Sequence, residues 1–169
     1  MRVVGVECNA DRYFFGRLLG NKNLIRKERN DFEVIQSVVL RSKGNFSVGI
    51  IDIDKNKKIP STFLSIYQDK NTTIYKGKDN FHFLFAIGPR QFEHWIGELL
   101  KINKINITEF GFNNFDEFMK VSKSLNPEND GNFKKVIDKI FELYWMDDNH
   151  ILKLKNLPIF HLHFLLNSN

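Results

Sequence analysis

The stretch Ser47-Val48-Gly49-Ile50-Ile51-Asp52-Ile53-Asp54 constrains the fold most: an apolar run of strand length that stops abruptly at two carboxylates one residue apart. Carboxylates are tolerated at the edge of a core and not within it, so the run reads as a buried strand whose C-terminal end opens onto solvent. Alternate side chains of a strand share a face, which points Asp52 and Asp54 the same way and turns Ile53 back into protein. Two crowded carboxylates invite a divalent cation.

The same grammar appears at the N-terminus, where the β-branched run Arg2 to Val6 ends at Glu7. Asn9 or Asp11 can cap a following helix through Tyr13, Phe14, Leu18 and Leu19, with Gly20 placed to end it. Leu24 to Lys27 is a short second strand. Asn30 and Asp31 then offer an N-cap for a helix through Phe32, Ile35, Val38 and Val39 that Gly44 stops. Up to residue 54 the order is strand, helix, strand, helix, strand, which predicts right-handed crossovers and a mostly parallel sheet. Ligands bind such sheets outside the carboxyl ends of the strands, so Glu7 and the Asp52/Asp54 pair are expected to converge although 45 residues separate Glu7 from Asp52.

Further on, Phe63 to Tyr67 and Thr72 to Tyr75 read as a hairpin at the sheet edge, and Phe81 to Ile87 as an apolar strand. Pro89 is placed for the first turn of a helix through Phe92, Trp95, Ile96, Leu99 and Leu100, which puts Glu93 at the same end of the sheet as the other acids. Helices are expected over 115–125 and 133–145, and a helix broken at Pro158 over 151–166. Trp95 and Trp145 read as core, and His161 and His163 as spacers, since no third ligand stands near them. Cys8, with no adjacent base, reads as small and packed.

The whole chain of 169 residues fits a single domain, with a core over 1–100 and a helical extension over 101–169. No window is apolar for long enough to span a membrane, no signal-peptide pattern follows Met1, and the single cysteine cannot form an internal disulfide; a cytoplasmic protein is the expectation. With 25 Lys and Arg against 20 Asp and Glu, the net charge of +5 suits an anionic partner such as nucleic acid.

Three of these stretches resemble a known family. Val6-Glu7-Cys8-Asn9-Ala10-Asp11-Arg12-Tyr13-Phe14-Phe15 resembles the opening motif of Toprim domains, a strand ending in Glu, a short turn, then Asp at the helix start. Ile50-Ile51-Asp52-Ile53-Asp54 resembles their second motif, an Asp-x-Asp at a later strand end, and Ala86 through Ile96 is similar, less specifically, to a stretch of small stand-alone Toprim-like proteins. Such domains occur in topoisomerases, bacterial primases and the nucleases that accompany overcoming-lysogenization-defect ATPases. Cys8 stands where many members have Gly, and Asn56 where topoisomerase-like members carry a third Asp; with no Tyr nucleophile motif either, strand passage is set aside.

The resemblance implies an α/β, Toprim-like Rossmannoid core acting as a metal-dependent phosphodiesterase, most simply a nuclease on DNA or RNA. Asp52 and Asp54 would hold Mg²⁺ or Mn²⁺ through hard oxygens, and Glu7 would serve as general base or acid, or as ligand to a second metal. Glu93 is the expected fourth catalytic carboxylate, Asp11 a helix cap beside the site, and Lys55, Lys57 and Lys58 candidate contacts to the phosphate backbone. Two other readings stand beside this one. One is a non-catalytic Toprim-like subunit that docks on an ATPase or caps nucleic acid. The other is a haloacid-dehalogenase-type phosphatase, disfavoured because Asn56 replaces the usual Thr or Val and the motif lies on a third strand.

Overall fold

Strand and helix alternate along the first half of the chain in the computed structural model, which describes residues 3–41, 45–53, 58–68, 72–79, 81–88 and 90–145. Asp54, Lys55, Asn56, Lys57, Pro89, His161 and His163, and the helix expected over 151–166, lie outside the described residues. The β-branched runs form β1 (Val3–Val6), β2 (Ile25–Lys27) and β3 (Ser47–Asp52), separated by α1 (Asn9–Leu18) and α2 (Asp31–Gln36). The expected hairpin follows as β4 (Phe63–Gln68) and β5 (Thr72–Gly77), then β6 (His82–Ile87) and α3 (Phe92–Ile102). The last described portion is helical: α4 (Phe115–Ser122) and α5 (Gly131–Trp145), joined by short 3₁₀ turns.

The six strands form one mixed, mostly parallel sheet in the order β2-β1-β3-β6-β5-β4. β1 pairs in parallel with β2 and β3, and β3 with β6, while the hairpin adds antiparallel pairs at one edge. The fold is therefore α/β, with helices flanking the sheet. Strand alternation sorts the side chains to two faces. Val48, Ile50, Phe85 and Ile87 join a large core with α1, α3, α4 and α5, whereas Ile51, Leu84 and Ala86 pack with Val34, Ile35 and Val38 of the α2 segment. At the centre of the large core Phe14 meets Phe15, Phe92, Trp95 and Phe141. Each of these rings is buried, which contributes roughly 1.5–3 kcal/mol apiece for a large apolar side chain.

Gly49 decides how closely α2 can approach. A Cβ there would lie 2.7 Å from Leu84 Cδ2 and 2.9 Å from Val34 Cγ1, so the missing side chain lets helix and sheet close on each other.

Some boundaries differ from the sequence reading. The helix expected to run unbroken to Gly44 widens after Gln36 into a π turn over Ser37–Arg41, where the Ser47 hydroxyl donates to the Val38 carbonyl and competes with the helical ladder. The helix expected from Pro89 begins at Phe92, α4 ends at Ser122 and not at Leu125, and Phe81, expected to open the apolar strand, is 50% exposed just outside β6. No described helix is long and apolar enough to cross a membrane.

Candidate functional site

β1 and β3 are neighbours, and both end at an acid. Their parallel register aligns Val3 with Ser47 and Gly5 with Gly49, so Glu7, just past β1, comes up beside the end of β3. The Glu7 carboxylate, through Oε1, accepts a hydrogen bond from the backbone N–H of Asp52 at 3.0 Å. The Asp52 carboxylate in turn accepts, through Oδ1, from the backbone N–H of Phe92 at 2.9 Å. Phe92 opens α3, whose own N-cap residue Gln91 makes no side-chain capping bond. Asp52 thus supplies a cap from across the sheet and places a carboxylate at the positive end of the helix dipole. The two motifs that lie 45 residues apart in sequence meet at adjacent strand tips.

The turn after Glu7 is organised by Cys8 and Asp11. Cys8, and not Asn9 or Asp11, is the N-cap of α1: Asp11 N–H donates to Cys8 Sγ at 3.3 Å, while Cys8 N–H donates to Asp11 Oδ2 at 3.1 Å. Asp11 was expected as a cap and instead occupies the third helical position of a reciprocal capping box. Cysteine is outside the usual cap set, which is why the sequence pointed past it. Asp11 is buried, and its Oδ1 has no hydrogen-bond partner among the described residues. Its carboxyl is raised to about 7: burial is the largest cause, the bonds to Cys8 oppose it, and the charges of Glu93 and Glu7 add to it. Burial first and Asp11 second raise the Cys8 thiol, which keeps it protonated and unsuited to nucleophilic attack.

Glu93 lies one residue into α3 and is buried, its Oε1 accepting from the Ser122 hydroxyl of α4 at 2.6 Å. It faces the helical layer, close enough to Asp11 and Cys8 for its charge to act on both. Lys58 is described and exposed. Among the described residues no set of three His, Cys, Asp or Glu side chains is arranged to hold a metal ion.

One residue that sequence reasoning passed over lies just before α3. Arg90 is exposed, two residues before Phe92, and carries a φ of 78°. A left-handed conformation is uncommon for arginine, and such strain concentrates at functional loops. No sequence signal marks it beyond the Gly88-Pro89 break just before it.

Comparison of the chain with family models, with curated proteins and with solved structures returned no match.

Proposed function

We propose that this chain is a Toprim-like, metal-dependent phosphodiesterase, a nuclease acting on DNA or RNA at the tips of β1 and β3. The observation that carries the reading is the hydrogen bond that joins Glu7 to the end of β3, because it puts Glu7 beside Asp52 at the C-terminal ends of two neighbouring parallel strands. The donor chemistry suits Mg²⁺ or Mn²⁺: Glu7 and Asp52 are hard oxygen donors on neighbouring strand tips, and Asp54 follows two residues later in sequence. When bound, such a cation supplies Lewis-acid polarisation of a phosphoryl oxygen.

The chain's own residues do the rest. Glu7 fixes the backbone of Asp52, and Asp52 fixes the start of α3, so the site rests on three elements and not on a loop. Asp11 and Cys8 hold the β1–α1 corner that presents Glu7. Arg90 and Lys58 supply exposed positive charge for the phosphate backbone. Cleavage of labelled DNA and RNA in Mg²⁺ or Mn²⁺ tests the reading. Asp52→Asn keeps an oxygen that can accept from Phe92 N–H, so it should lose cleavage and stay folded; undiminished cleavage by that variant overturns the proposal.

A second reading is favoured by the same bonds. Carboxylates that accept from Asp52 N–H and Phe92 N–H already have a structural task, which is what a non-catalytic subunit docking on an ATPase or on nucleic acid would retain. Absence of divalent-metal binding in calorimetry, together with tight binding to such a partner, would select it.

A further inference from the structure

A cavity of about 510 Å³ lies along the outer face of α1, between that helix and the turn at 125–128. It begins at Asn9, two residues after Glu7, and its wall carries Arg12, Arg17 and Lys22 against a single acid, Glu128. The three cations differ in what they are free to do. Arg17 pairs with Asp138, donates to the Tyr13 hydroxyl and lies over the Tyr13 and Phe141 rings. Arg12 and Lys22 are exposed and make no side-chain hydrogen bond or ion pair among the described residues. Leu125, 83% exposed, and Tyr13 add apolar surface. Glu128 Oε2 is fully buried, out of reach of anything in the cavity, and has no hydrogen-bond partner among the described residues.

We propose that this cavity seats one nucleotide unit of a single-stranded nucleic acid on its way to the strand tips. Arg12 and Lys22 take the phosphate, and Leu125 and Tyr13 the faces of the base. The mixture points to a nucleotide and not to a bare anion, because an anion alone would leave the apolar surface unused. The volume lies within the range of ordinary small-molecule pockets. A single strand fits better than a duplex, whose bases are stacked inside and cannot enter a pocket. The fate of the strand after binding rests on the nuclease reading; the binding itself does not.

Fluorescence anisotropy of a labelled single-stranded oligonucleotide in EDTA tests this without any cleavage. Arg12→Ala with Lys22→Ala should weaken binding at least about tenfold, the worth of one lost charge-assisted contact. It should also flatten the dependence of log affinity on log salt by about 1.4, at about 0.7 per phosphate contact. Both sites are exposed, so unchanged thermal melting checks the fold. Leu125→Ala should weaken binding severalfold, because it removes apolar surface on which the base lies; unchanged binding in that variant would reveal a bare-anion site and overturn the proposal. Competition by AMP or polyglutamate as effective as that by unlabelled strand would overturn it too, as would unchanged affinity and salt slope in the double variant. Wild-type protein that binds but never cleaves leaves this inference standing and removes the nuclease reading. Cleavage with a double variant that binds normally does the reverse.

Discussion

The Glu7 carboxylate accepts a hydrogen bond from the backbone N–H of Asp52 at 3.0 Å, across the tips of two neighbouring parallel strands. Asp52 passes the connection on to α3 through Phe92, so one acid fixes the strand that carries the next and that acid fixes a helix. The relay explains why the two acidic motifs have a structural consequence whatever chemistry they support.

Glu7→Ala removes an acceptor from a partly buried amide and should lower stability by about 1–2 kcal/mol, while Glu7→Gln keeps a carbonyl oxygen in place and should cost less than about 1 kcal/mol. Urea unfolding of the two variants gives the comparison; equal losses would mean that charge, and not the hydrogen bond, joins the strand tips.

Asp11 sets a pH dependence with a definite sign. Its carboxyl is raised from 3.8 to about 7 in the folded chain, so the folded state holds the proton more tightly than the unfolded one. The resulting stabilisation is complete below pH 4, declines as pH rises between about 4 and 7, and is gone above that. Asp11→Asn removes the titration and keeps an oxygen for the Cys8 N–H. Urea unfolding at pH 5 and pH 8 should therefore show a larger drop in the wild type than in this variant; parallel drops would contradict the assignment.

Gly49→Ala should cost about 1–3 kcal/mol, because the new methyl meets Leu84 and Val34 below normal contact distance. Gly131→Ala is the matched control. Nothing lies within 4 Å of a Cβ at that position, so stability should stay within about 1 kcal/mol of the wild type. Thermal melts of the two variants should separate clearly.

Ser122→Ala leaves the buried Glu93 carboxylate without its hydroxyl donor and should lower stability by about 1–3 kcal/mol at neutral pH. Chemical denaturation measures it. A neutral result would mean that Glu93 finds another donor when α4 withdraws its own.

The convergence of Glu7 with Asp52 was legible because each acid ends an apolar run and parallel strands place their C-terminal ends together. The hairpin and the helix over 133–145 were legible because strand and helix periods are local properties of a sequence. Asp52 as the cap of α3 was not, because the bond spans 40 residues and depends on how β6 hands over to that helix. The Glu93–Ser122 bond spans 29 residues and depends on the packing of α3 against α4, to which no local pattern points. The lysines at 55, 57 and 58 form a charge run in the sequence itself. Arg12 and Lys22, ten residues apart, form a basic wall only once α1 packs against the turn at 125–128.

The most direct test of the account is Mn²⁺-dependent cleavage of a labelled single-stranded oligonucleotide by the wild type and by Asp52→Asn, at matched folding by circular dichroism. The account predicts cleavage by the wild type and a loss of at least about tenfold in the variant. Equal cleavage by both proteins, or none by the wild type with every strand offered, would contradict it.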